Sequence, residues 1–374
     1  MYKPGFLSPW TPCIPGRNRD IWLGKFILSR NDAAVVVEKV RIAGAGVAGL
    51  TAAIGLARAG KSVEVLEMKS RVGSSAGTHT EGVRNYLGRD GLEDLARFGV
   101  KVRPFAVANR VVRRSRRSVS VVRGPSYYMV DRGGGPQSLE RQLLEQALDA
   151  GAQVRFKTKA APSDVDLFAT GAPKNLVNIF AGGYRFSHEG SNLESDEIHA
   201  LFDNDLAPQG YLCILPGPSA HSIYTVSWRP LPYGELVAKV DRALRLDWVR
   251  EILGTATRVG RIYGKGYFHP DPYSVAAQAG VLRAGEASGI QDAVGGFGIR
   301  YAVGSGALAA KSLLTGSDYA AMLREEFSDD FEVAMKSRAW LERATDEDYD
   351  RFLEKLGPEV GVSDYASWRG VRFL

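Results

Sequence analysis

The stretch Val40-Arg41-Ile42-Ala43-Gly44-Ala45-Gly46-Val47-Ala48-Gly49-Leu50, continued by TAAIGLARAG to Gly60 and by SVEVLE from Ser62 to Glu67, decides the fold. A short apolar run enters three glycines, small and apolar helix formers follow to a glycine stop, and a second β-branched run ends on an acid. Strand, tight turn, helix and strand, with an acid about 20 residues past the glycines, make a dinucleotide-binding βαβ unit. Each part has a physical reason. Gly44 allows the sharp turn out of the strand, Gly46 lets a pyrophosphate approach the backbone, and Gly49 lets the helix lie close on the sheet. Val47 and Ala48 open the helix, whose free N–H groups and partial positive charge face the phosphates. Glu67 is placed to accept hydrogen bonds from a ribose diol, although a strand-end glutamate is also an ordinary surface residue. Arg71 and Gly73 continue the order E-x-x-x-R-x-G, which favours FAD over NAD.

Working outward, five more segments carry a pattern. GSSAGTHTEGVRN spans 73–85, and YYMVDRGGGPQSLERQLLEQALDAGAQV spans 127–154 with a helical stripe of Leu139, Leu143, Leu144 and Ala147. DLFATGAP (166–173) is followed by NDLAPQGYLCILPGP (204–218), with Pro208, Gly210, Tyr211 and Pro216 at its turns. VLRAGEASGIQDAVGGFGIRYAVGSGALAAKSL (281–313) repeats the sense of an apolar strand, a glycine turn and a small-residue helix. Together, from about residue 40 to about residue 316, the chain resembles the geranylgeranyl reductase group within the FAD oxidoreductases of the p-hydroxybenzoate hydroxylase fold.

The resemblance implies an α/β architecture: a Rossmann-like FAD-binding domain, an inserted antiparallel-sheet substrate domain and a C-terminal helical cap. It assigns Arg132 and Gly171 to the cofactor's surroundings and Glu286 to the ribityl hydroxyls. It sets Gly295, Gly296, Gly298 and Ile299 at the start of a helix beside the flavin pyrimidine edge or pyrophosphate. His79 falls in the loop that faces the flavin, where a histidine can donate a proton near neutral pH; a solvated loop histidine is the plainer reading. Two departures stand out. Residues 73–82 contain no cysteine, where many such reductases have one, and QDAVGGFG lacks the proline usual in that turn.

In domain terms the reading is an N-terminal extension at 1–37, a discontinuous FAD domain at 38–99, 127–173 and 280–316, a substrate domain at 100–126 and 174–279, and a helical region at 317–374. A helix is expected over 236–253. No second GxGxxG unit appears, so the reductant is expected to be NAD(P)H bound transiently near the flavin, or a protein electron donor.

With 374 residues, 45% apolar and 24% charged, the chain has the size of about two conventional domains and the composition of a soluble protein. No run reaches the ~20 apolar residues that span a bilayer. Cys13 and Cys213 are far apart, which fits a reducing cytoplasm and excludes a redox dithiol. The net charge of +6 is modest. It is locally concentrated in Arg110, Arg113, Arg114, Arg116 and Arg117, a run able to meet a phosphate-bearing substrate or an anionic membrane surface, or to be a solvated hairpin. Without an accompanying binding motif the run does not suggest nucleic acid. His188, His199, His221 and His269 lack metal-ligand spacing, so no metal is expected. Cys213, Tyr211 and Trp228 read as packing residues that could also line a cavity. The expected activity is reduction of a carbon–carbon double bond in an isoprenoid or other apolar substrate, a small molecule or lipid. Flavin monooxygenation and non-catalytic flavin binding are the alternatives on the same fold.

Overall fold

The computed structural model describes residues 39–74, 79–85 and 89–367; the extension read at 1–37 and the loop at 75–78 lie outside the described residues. The chain begins with β1 (Lys39–Ala43), α1 (Val47–Arg58) and β2 (Ser62–Leu66). β1 and β2 pair in parallel, Lys39 with Ser62 through to Ala43 with Leu66, as a helical crossover requires. Every residue of α1 from Val47 to Ile54 is buried, which is the signature of a core helix rather than a surface one.

β3 (His79–Arg84), α2 (Gly91–Ala96), β4 (Ala106–Arg114) and β5 (Val119–Arg132) follow. β5 runs unbroken through Gly124 and Pro125, and β4 shifts register against it between Ala108 and Arg110; the bulge absorbs the bend that glycine and proline impose. Next come α3 (Leu139–Asp149), whose N-terminus is capped by the Ser138 hydroxyl, β6 (Gln153–Arg155) and β7 (Leu167–Phe168). The middle of the chain adds β8 (Ile179–Phe186), β9 (Glu197–Leu201), β10 (Tyr211–Leu215) and β11 (His221–Ser227).

The helix expected over 236–253 is two: α4 (Tyr233–Ala243) and α5 (Asp247–Leu253), separated because Leu246 turns to an extended conformation. β12 (Arg258–Gly266), β13 (Ala277–Gln278), β14 (Val281–Arg283), α6 (Ile299–Thr315), α7 (Tyr319–Leu341), α8 (Asp346–Leu356), β15 (Glu359–Gly361) and α9 (Val362–Ser367) complete the described chain. No helix among the described residues is long and apolar enough to cross a membrane.

The strands form two sheets. The first has the order β13-β14-β7-β1-β2-β6, and all its neighbours are parallel except the β13–β14 hairpin. The second has the order β12-β8-β11-β10-β9-β4-β5-β15, with β3 also paired to β5, and is mainly antiparallel. This is the expected α/β architecture: a Rossmann-like sheet, a large second sheet and C-terminal helices. One core lies around the first sheet with α1, α3 and α6; a second lies between the large sheet and the C-terminal helices. α7 contributes Leu323 and Phe327 to the first and Ala334 and Leu341 to the second.

Candidate functional site

The parallel sheet determines where the predicted residues meet. Gly44 follows β1, Glu67 follows β2, Gly171 lies just past β7 and Glu286 lies just past β14, and these four strands are neighbours running the same way. Four residues from distant parts of the chain thus collect outside the carboxyl ends of adjacent strands, where open α/β sheets bind their ligands.

The first turn is built as its glycines require. Gly44 has φ +99°, and its N–H donates to the Leu66 carbonyl at 2.8 Å. A side chain on Gly49 would collide with the Gly44 carbonyl oxygen, so this glycine sets how closely α1 meets the turn. At Gly46, by contrast, an added Cβ would meet nothing within 4 Å, leaving the N-terminus of α1 open. The Glu67 carboxylate accepts from the Ala45 N–H at 2.9 Å and from the Lys69 N–H at 2.8 Å, which fixes it beside this turn. Arg71 is exposed and lies against Gly134, while Gly73 (φ +70°) leaves no room for a side chain beside the Gly133 carbonyl.

Arg132 forms the charged centre. Its Nη1 pairs with Glu81 and its Nε donates to Glu140 at 2.8 Å; Glu140 also accepts from the Gly133 N–H at 3.0 Å. Burial opposes ionisation of both Arg132 and Glu140, yet their pairing keeps the guanidinium more firmly protonated and the Glu140 carboxyl below the usual carboxylate range. The other Glu81 oxygen accepts from the N–H of Gly298, the N-cap residue of α6, at 3.2 Å. His79 stands opposite Arg132 in the β3–β5 register and is half-buried, on the same face as Glu81.

Glu286 has no such arginine to itself. The Gln291 amide donates to it at 3.1 Å and to the Gly296 carbonyl at 3.0 Å, and the Ala172 N–H adds a backbone hydrogen bond. Burial first, and the Glu81 charge second, push its carboxyl up to about 7, while Arg132 pulls the other way. Its folded value lies above its unfolded one, so the native state binds the extra proton and stability falls as pH rises from about 4.5 to about 7. Glu286→Gln is expected to raise stability at pH 8 by on the order of 2 kcal/mol and to leave it nearly unchanged at pH 4, read from urea melts.

The glycine loop before α6 is fixed from several sides. Asp292 accepts from the N–H groups of Val294 (2.9 Å) and Gly295 (2.5 Å), and pairs with Arg84 at 2.5 Å. The Arg84 guanidinium lies 4.6 Å over the Phe297 ring, which stacks on Tyr127 at 5.5 Å. From the large sheet the Tyr211 hydroxyl donates to the Gly295 carbonyl at 2.6 Å. Gly296 takes φ +68°, and a side chain on Gly298 would collide with the Gln291 amide oxygen. Ile299, the first residue of α6, is buried. A side chain on Gly306 would strike the Ala48 carbonyl, so α6 lies close on α1 and the two helix starts share one region.

Sequence reasoning missed Glu81, Glu140, Gln291 and Asp292. Glu81 alternates with His79 along β3, which was a usable signal; Glu140 looks like any acid in a first helical turn. Cys213 is buried, and burial pushes its thiol up to about 12, so it is a core residue against Tyr224. Iodoacetamide is therefore expected to modify Cys213 only after unfolding, measured by mass spectrometry. The basic run is occupied. Arg110 pairs with Glu197, Arg116 with Asp203, Asp205 and Asp346, and Arg117 with Asp350, while Arg113 and Arg114 lie over the rings of Tyr365 and Trp248. Arg113, Arg116 and Arg117 tie this hairpin to the C-terminal helices, and Arg110 and Arg114 tie it to β9 and α5.

The model of an NAD(P)-binding Rossmann-like domain matches residues 42–102, from β1 past Glu67. No curated protein sequence matches the chain significantly. Among solved structures it is similar to a geranylgeranyl bacteriochlorophyll reductase-like protein from Thermoplasma acidophilum, at 16% identity and TM-score 0.68, over 87% of this chain and 92% of that one. It is also similar to a flavin-dependent halogenase, at 15% identity and TM-score 0.54, over 88% and 71% of the two chains. A 2-methyl-3-hydroxypyridine-5-carboxylic acid oxygenase gives 15% identity and TM-score 0.51, over 88% and 95%. The chain has the fold these proteins share.

Proposed function

We propose that the chain is an FAD-dependent oxidoreductase that reduces a carbon–carbon double bond in an isoprenoid or other apolar substrate. The convergence of Gly44, Glu67, Gly171 and Glu286 at the carboxyl ends of β1, β2, β7 and β14 carries the cofactor assignment. The residues suit a dinucleotide: an added Cβ at Gly46 or Gly171 would meet nothing within 4 Å, which leaves backbone N–H groups approachable by a pyrophosphate. Glu67 would hold the ribose, Glu286 the ribityl chain, and the start of α6 the far end of the flavin.

When bound, FAD supplies hydride transfer, with electrons from NAD(P)H or a protein donor. The chain's own part is to bind, orient and exclude water. Tyr211, Tyr224 and Phe297 bring an aromatic wall toward the glycine loop, suited to an apolar substrate and hostile to solvent. His79, beside Arg132, would hold a proton at its ring nitrogen for the substrate carbon.

The larger TM-score against the reductase-like structure supports reduction over the oxygenase and halogenase readings. The test starts with the absorption spectrum of the purified protein reconstituted with FAD, followed by anaerobic reduction and mixing with prenyl substrates. Reoxidation by a prenyl substrate is the expected result. No response to any prenyl compound, with hydroxylation of an aromatic one once oxygen enters, would replace the reductase with a monooxygenase. Absence of any acceptor leaves a flavin-binding protein without turnover.

A further inference from the structure

Three carboxylates, Glu81, Glu140 and Glu286, surround a single arginine, Arg132, where β3, β5, α3 and the glycine loop meet. Arg132 is committed to two of them. Glu140 holds its Nε, Glu81 holds its Nη1, and Glu81 reaches on to the Gly298 N–H with its second oxygen. Glu286 is left with neutral donors, the Gln291 amide and the Ala172 N–H. Among the described residues the charged groups that act on it are Glu81 and Arg132; Gly266 of β12 lies beside its carboxyl, Ala48 and Ala302 lie beside the neighbouring Gly285, and the titratable His79 stands opposite Arg132 in the β3–β5 register. The next ion pair in the loop is Arg84 with Asp292.

Glu81 also sits on the atom a bound flavin would want. The Gly298 N–H opens a helix of 17 residues, and a carboxylate on it takes the place of an external acceptor. We propose that Glu81 is a positioning residue for this site: by engaging both Arg132 and the N-cap N–H of α6, it withholds the arginine from Glu286 and couples occupation of the glycine loop to a proton on Glu286. The proposal rests on the flavin reading above. An anionic cofactor bound beside three carboxylates and one arginine is favoured when one carboxylate is neutral, and Glu286 is the one without an ion-pair partner of its own. The proton comes from solvent, binds a Glu286 oxygen, and is released when the cofactor leaves.

The test needs no turnover. Carboxyl 13C NMR of the ligand-free protein, with Glu286 assigned through Glu286→Gln, reads its titration midpoint directly. Glu81→Gln keeps the shape but removes the charge and one of the two acceptor oxygens, and is expected to lower that midpoint by about one pH unit or more as Arg132 turns to Glu286. Glu81→Asp keeps the charge and is expected to keep the wild-type midpoint. FAD affinity, read from quenching of flavin fluorescence, is expected to weaken about tenfold from pH 6 to pH 8 in the wild type and less than about threefold in Glu81→Gln.

Equal midpoints in wild type and Glu81→Gln, or a Glu81→Asp protein that behaves like Glu81→Gln, would overturn the proposal. A shifted midpoint with FAD affinity independent of pH would overturn the coupling to occupancy. A shifted midpoint in a protein that binds no FAD at any pH would sink the flavin reading and the coupling with it, while leaving the hold of Glu81 on Glu286 in place.

Discussion

A Gly49→Val protein is expected to lose both FAD and about 2–3 kcal/mol of stability, because its side chain would be driven into the Gly44 carbonyl at the tightest point of the βαβ turn. The informative control is three residues earlier. At Gly46 an added Cβ meets nothing within 4 Å, and the residue has φ −88°, which any L-residue adopts. Gly46→Ala is therefore expected to melt within about 2 °C of the wild type yet bind FAD about ten- to a hundredfold more weakly, since the methyl group stands where the pyrophosphate approaches. Thermal melts and flavin titration on the two variants separate a folding glycine from a ligand glycine. If Gly46→Ala bound FAD like the wild type, the pyrophosphate would have to be placed elsewhere.

The second large effect concerns Arg132. Arg132→Met keeps the bulk and removes the charge, which leaves Glu140 and Glu81 facing each other without a cation. Glu140 is 3% exposed, so its carboxylate cannot recover its hydration in place. The loss is expected to be about 3–5 kcal/mol at pH 7, as for other buried pairs broken on one side. The sign with pH follows from Glu140, whose carboxyl Arg132 holds below its ordinary value. That stabilisation is present above the unfolded value and is lost as pH falls through the folded one, so wild type and variant should converge in acid. Urea melts at pH 7 and pH 4 check this. Equal losses at both would mean that Arg132 matters through packing and not through charge.

These two sites differ in how much of them can be read without a structure. The turn at Gly44, Gly46 and Gly49 is legible because its parts are local: strand, turn and helix follow each other, and glycine announces backbone that other residues cannot adopt. Glu67 is read from the end of a strand, whereas Gly171 and Glu286 come from the resemblance; the three lie beyond the carboxyl ends of β2, β7 and β14. The grouping around Arg132 is not legible in this way. Glu81 lies 51 positions from Arg132, and Glu81 and Gly298 are 217 positions apart, so only the β3–β5 pairing and the return of the chain before α6 bring them together. The arginines between Arg110 and Arg117 left two readings open for the same reason. Along the chain they are a bare basic cluster, whereas Asp203, Asp346 and Asp350, which neutralise them, arrive about 90 to 230 residues later.

The strand order of the first sheet carries a consequence for how the protein is made. β1 and β2 leave a ribosome early, but the strand that flanks β1 on its other side, β7, is 125 positions further on, and β14 follows only at Val281. α6, whose Gly306 rests on the Ala48 carbonyl, comes later still. Until β7 and β14 emerge, the glycine turn is therefore an exposed apolar helix beside a fragment that holds Glu67 but not yet Glu286. Pairing across such distances is slow, because long loops must close before any contact rewards them. A nascent chain halted before β14 should remain protease-sensitive and unable to retain FAD, so cofactor loading and closure of the first core would be a single late event.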